Sequence, residues 1–119
     1  MGDFKDLKVW QKARWFAGQI YQVTEAFQPK EQYGLTSQTR RASVSIISNL
    51  AEGSGRGSDR VLLRFVRIAL GSSREVESHL ILAQDLHFAE QERLRSLRRE
   101  AEEIRSMLAG LAKRLEEDS

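Results

Sequence analysis

Leu94, Leu97, Ala101, Ile104, Leu108, Leu111 and Leu115 recur at alternating spacings of three and four. An α-helix of 3.6 residues per turn gathers all of them on one side. Arg and Glu fill most positions between them, as at Arg95, Arg98, Glu102 and Arg105. The segment predicts a long helix over 90–116 with one dry seam and one solvated face. The closing residues 116–119 read as a frayed tail. The same alternation runs through Leu7, Trp10, Ala13, Ala17, Ile20, Thr24 and Phe27 and predicts a first helix over 5–27. Asp3 is placed to cap it, and Asp6 suits its positive end. Trp15, Phe16 and Tyr21 fall off that stripe and point to a second surface.

Pro29 breaks the first helix and Gly34 permits a turn. A second helix is expected over 36–52, with Thr36 as its N-cap and Gly53 in the left-handed position that ends it. The glycine-rich corner Gly53-Ser54-Gly55-Arg56-Gly57 follows, and Ser58 caps a third helix over 59–86. There Leu62, Phe65, Val66, Ala69, Ser73, Val76, Leu80 and Ala83 form the main stripe. Leu63 and Leu70 lie on another line, and Ile68, Leu82 and Leu86 on a third, which predicts burial on more than one side. Gly71, Ser72 and Ser73 are small enough for a close helix approach. No strand pattern occurs. Four helices with short connections predict an all-α, antiparallel up-down-up-down four-helix bundle, one domain over residues 1–119.

The second helix differs from the others. Arg41, Ser45, Ser48 and Glu52 share a direction where apolar residues would be ordinary. Arg41 and Glu52 lie about 16 Å apart along the axis at 1.5 Å per residue. They cannot pair within one helix, so each needs a partner from another helix, another subunit or a ligand. Two readings stand for this stripe: a solvated face, or a network of Gln38, Arg41, Ser45, Asn49 and Glu52 that fixes register at an interface or holds a ligand.

Composition narrows the classes. The chain has no cysteine, which excludes disulfides and cysteine-ligated metals. No apolar run approaches the roughly 18 residues of a membrane span. The first ten residues carry early acids and no apolar core, unlike a signal peptide, so a cytoplasmic protein without a membrane partner is the expectation. Net charge is +2, but residues 1–60 hold nine Lys/Arg against six Asp/Glu, while residues 61–119 hold ten against eleven. The basic excess therefore sits with the unusual second helix. Arg40 and Arg41 adjoin Gln38 and Asn49 there, a group suited to phosphates or to a salt-bridge network. Arg56 and Arg60 flank the start of the third helix, where free backbone N–H groups favour anions. The candidate nucleic-acid contacts are thus Arg40, Arg41, Arg56 and Arg60.

Signals for catalysis are lacking. Glu75 and His79 make one i,i+4 couple, too few groups for a closed metal site. The glycine corner has neither the dinucleotide-binding spacing nor a phosphate-loop ending. Ser43, Ser45, Ser48 and Ser54 have no identifiable His–acid partners. The expectation is a non-enzymatic protein with no catalytic residue, metal or cofactor.

The ordered set of motifs carries a resemblance. It comprises Phe4-Lys5-Asp6-Leu7, Val9-Trp10-Gln11-Lys12-Ala13, Tyr33-Gly34-Leu35-Thr36-Ser37-Gln38, Arg40-Arg41-Ala42 with Ser45, and Asn49-Leu50-Ala51-Glu52-Gly53. Phe65, Ala69, Gly71-Ser72 and Glu75 continue it. The chain resembles, nearly end to end, the bacterial four-helix bundle family of 23S ribosomal RNA intervening-sequence proteins. It departs at Ile47, where many members have proline, at Gln28, and at Leu86-His87-Phe88 in place of a Leu-Gly-Tyr turn. The resemblance implies a bundle that assembles into a ring, often a homopentamer. The chain is distantly similar to the accessory variability proteins of diversity-generating retroelements, which associate with nucleic acid and a reverse transcriptase. The leading expectation is an oligomeric helical bundle that binds RNA or DNA. The alternative is a structural or protein-partner scaffold whose polar stripe serves subunit assembly.

Overall fold

The computed structural model describes residues 2–118; Met1 and Ser119, the last residue of the expected tail, lie outside them. The chain forms four helices, α1 (Lys8–Thr24), α2 (Leu35–Ser54), α3 (Asp59–Asp85) and α4 (Gln91–Asp118), with 3₁₀ turns at Phe4–Asp6 and Pro29–Glu31. Among the described residues there is no strand. α1 packs on α2 and α4, and α3 packs on the same two helices from the opposite corner. Cross-helix pairs fix the directions. Arg67 meets Glu116, Glu77 meets Arg105 and Gln84 meets Arg98, so α3 and α4 run antiparallel. Ser45 opposite Ser72 and Gly53 opposite Leu62 do the same for α2 and α3. Lys12 with Glu100 and Gln19 with Arg93 do so for α1 and α4. The bundle measures 45 × 22 × 19 Å, about the length of α4 itself at 1.5 Å per residue.

The seam expected in α4 is the one observed, from Leu94 through Leu115, and all of its residues are buried. The helix continues to Asp118, past the point where fraying was expected. Glu90 caps its start by accepting from the backbone N–H groups of Glu92 and Arg93 at 3.1 and 2.9 Å.

α1 requires two corrections. Residues 4–6 form a separate 3₁₀ turn, capped by Asp3 through the Lys5 N–H at 2.9 Å, so Asp3 does not cap the α-helix. The buried stripe is Val9, Ala13, Phe16, Ala17, Ile20, Val23 and Thr24. Phe16 is wholly buried, because a core-facing stripe is wider than a strict three-four seam and the neighbouring alanines leave room for a ring. Leu7 and Trp10 only border the core.

α2 begins at Leu35 from Gly34, so Thr36 lies inside the helix and is not its N-cap. The Glu31 carboxylate accepts from the Leu35 N–H at 3.3 Å in its place. Gly53 is helical, and the left-handed glycine of the corner is Gly57, with φ of +78°. The constraint at Gly53 is distance: a Cβ there would lie 2.7 Å from Phe65 Cβ and 3.3 Å from Leu62 Cα. Glycine lets α2 and α3 converge at the corner. Ser58 caps α3, accepting from the Val61 N–H at 3.2 Å. α3 ends with His87 at φ +56°. The Phe88 N–H reaches the Ala83 carbonyl at 3.0 Å and the His87 N–H reaches Gln84 at 3.1 Å. This is a Schellman end with histidine where glycine is usual. Phe88 closes it by packing on Phe27, with ring centroids 5.4 Å apart.

Candidate functional site

Of the polar stripe of α2, Ser45 lies at the contact with α3 with Asn49 beside it, while Arg41, Ser48 and Glu52 are exposed. The Ser45 and Ser72 hydroxyls are 2.8 Å apart. Asn49 donates to the Ser45 carbonyl at 2.8 Å and to Ser45 Oγ at 3.0 Å. The Ser45–Ser72 bond ties the two helices in register across small side chains, and Asn49 holds Ser45 from within α2. Further toward the N-terminus of α2 the stripe opens. Gln38, Arg41 and Ser45 face Glu75 of α3 across a shallow groove of about 370 Å³. Glu75 also approaches His79, with Nε2 3.8 Å from its carboxylate. His79 is mostly buried, and its Nδ1 has no hydrogen-bond partner. Burial pushes this imidazole below its usual value, against the opposing pull of Glu75.

The four arginines singled out in the sequence do not form one site. Arg40 holds the end of α1. Its Nε donates to Thr24 Oγ1 at 2.8 Å, and its terminal nitrogen reaches the Tyr21 carbonyl and the Glu25 carboxylate, each at 3.2 Å. The guanidinium also lies 4.7 Å from the Tyr21 ring centroid. It satisfies a carbonyl at a helix C-terminus, where a cation suits the dipole. Arg41 is exposed on the groove beside Gln38. Glu52, expected to need a distant partner, pairs with Arg56 four residues on, just past the helix end. Arg41 is about 20 Å along the axis from that pair.

Arg56 and Arg60 join two arginines that the sequence reading passed over. Arg60, Arg64 and Arg67 line one cleft of about 670 Å³, with Val61 and Leu63 as its apolar wall. Spacings of four and three place the three cations on one side of α3. Phe65 lies between Arg56 and Arg64, whose guanidinium carbons are 5.7 and 5.2 Å from its ring centroid. Arg67 is tied to Glu116 at 2.7 Å. Among the described residues neither Arg60 nor Arg64 has a carboxylate partner within ion-pair distance. The sequence signal was the i, i+4, i+7 run of arginine. The apolar positions that dominate α3 mask this run in the sequence.

No group of three or more His, Asp or Glu side chains among the described residues is arranged to hold a metal ion. No helix among them is long and apolar enough to cross a membrane.

Fold and surface together define a charged helical bundle with an arginine-lined cleft at one end. The chain matches the family model of 23S rRNA-intervening sequence proteins over residues 5–110 and belongs to that family. No curated protein matches it significantly.

Proposed function

We propose that this bundle is a non-enzymatic RNA-binding protein. The cleft of Arg60, Arg64 and Arg67, flanked by Arg56, is its phosphate-contacting surface. One observation carries the reading: Arg60 and Arg64 stand on the same cleft, and among the described residues neither has a carboxylate within ion-pair distance. Guanidinium groups held this way match phosphate oxygens in bidentate geometry. The family's name refers to a 23S rRNA intervening sequence and names no ligand, so RNA is the first nucleic acid to test. Arg41 stands apart from the cleft, on the groove with Gln38 and Glu75. Arg40 serves the fold, with its donors committed to α1.

Fluorescence anisotropy with a structured RNA at 50 and 200 mM salt tests the proposal. Two phosphate contacts, from Arg60 and Arg64, predict affinity that falls on the order of tenfold over that range, because bound cations displace condensed counterions. Absence of binding at both salts would overturn it.

A second reading has its own support. Ile68 and Leu82 of α3 and Leu86 just past its end are each nearly half exposed, on the side of the helix that carries Glu75. Apolar residues in line beside a polar groove suit a contact between copies of the chain, with Gln38 and Arg41 at its edge. A ring of subunits, as the family resemblance implies, would cover this face. The two readings are compatible, since Leu82 and Leu86 lie toward the opposite end of α3 from the arginine cleft, and the two surfaces adjoin only where Ile68 follows Arg64 by one turn.

A further inference from the structure

α1 carries a second surface that the arginine cleft does not explain. Between Lys8 and Thr24 it has Lys8, Lys12 and Arg14 and no acidic residue. Trp15 is 47 % exposed on its outer side. The ring borders a groove of about 400 Å³ that it shares with Gln11, Arg14, Gly18 and Gln22. A methyl group at Gly18 would touch nothing within 4 Å, so the groove beside the indole is open. Lys12 covers the ring from 5.1 Å and is itself held by Glu100 and Glu103 of α4. The hydrogen bond to Glu100, opposed by partial burial, keeps its ammonium above the usual lysine value.

We infer that this face is a stacking platform for the bases of a single-stranded RNA segment, with Trp15 as its aromatic surface. The inference rests on the proposed RNA-binding function and extends it to a second site. Each component suits that occupant. An exposed indole stacks on any nucleobase and tolerates sequence variation. Gln11 and Gln22 offer both donors and acceptors to base edges. Arg14 supplies a cation for the backbone, and the absence of acids on α1 leaves that cation uncancelled on its own helix. A duplex keeps its bases stacked inside and would not present them to the indole, so the platform selects unpaired segments.

A Trp10→Phe variant leaves Trp15 as the sole tryptophan. Titration with a twelve-residue oligouridine should quench its fluorescence, and a perfect RNA duplex of that length should not. Trp15→Ala should weaken oligouridine binding on the order of tenfold or more, while Trp15→Phe retains most of it. Trp15 is exposed, so neither variant endangers folding. Equal oligouridine affinity in Trp15→Ala, or an unquenched Trp15 in the bound state, would overturn the platform. So would Trp15 emission that responds to protein concentration and not to oligouridine, which would assign the face to another copy of the chain. If Arg60→Gln/Arg64→Gln loses structured RNA while Trp15→Ala binds oligouridine as the parent does, the platform fails and the arginine cleft stands. If the arginine variant keeps its RNA affinity and Trp15 is quenched as described, the cleft fails and the platform stands.

Discussion

Gly53 shows how a single residue is set by its neighbours. In a helix, alanine is favoured over glycine by about 1 kcal/mol. At this position the added Cβ would press on Phe65 Cβ and on the Leu62 backbone, which cannot swing away. Overpacking of this kind costs about 1–3 kcal/mol. Gly53→Ala should therefore lower stability by roughly 1 kcal/mol net. A urea denaturation midpoint that stays or rises would contradict the close approach. His79 makes a prediction in pH. Its imidazole is mostly buried, and its folded-state pKa lies below the unfolded value. The unfolded chain thus takes up a proton first. The contribution is complete above the unfolded value of about 6.5 and is lost as pH falls toward the lower, folded value. His79→Gln should show a smaller loss of stability between pH 7.5 and 5.5 than the parent chain. An identical loss in both would remove His79 from the account.

At the scale of elements, legibility followed the division between dry and wet faces. α4 has one apolar line and arginine or glutamate elsewhere, so its seam could be read directly. α1 is apolar on several sides, and the spacing rule chose Trp10 where packing buries Phe16. The role of Gly53 depends on Leu62 and Phe65 crossing over it, a tertiary fact with no local signature. For Arg40 the sequence leaves phosphate contact and a salt-bridge network open, because its partners are a threonine, a carbonyl and a carboxylate 15 to 19 residues away. The pairing of Glu52 with Arg56 was legible as an i,i+4 spacing, but the glycine corner suggested that the helix had already ended. The polar stripe was seen correctly as a stripe. Its middle closes on α3 through Ser72, and its N-terminal part opens to a groove, a distinction that only the packed helices make.

The whole molecule presents three surfaces on one bundle: an arginine cleft at the start of α3, an aromatic amide-rich face on α1, and an apolar line along α3. The last belongs to the assembly reading and has a direct check. Leu82→Glu places a charge at an exposed position, so it spares the core while opposing contact between copies. If that face joins subunits, sedimentation of the variant should give a lower mass than the parent chain. An unchanged oligomeric mass would free the face for another role.

The central claim is that phosphate binding resides in the α3 cleft and not in basic charge at large. The measurement that tests it is the salt slope of RNA affinity for Arg60→Gln/Arg64→Gln. The comparison is Arg95→Gln/Arg99→Gln, which removes the same charge from arginines already paired with Glu92 on α4. The cleft variant should bind weakly and lose about two units of slope, while the α4 variant stays near the parent. Equal slopes and affinities in the two variants would contradict it.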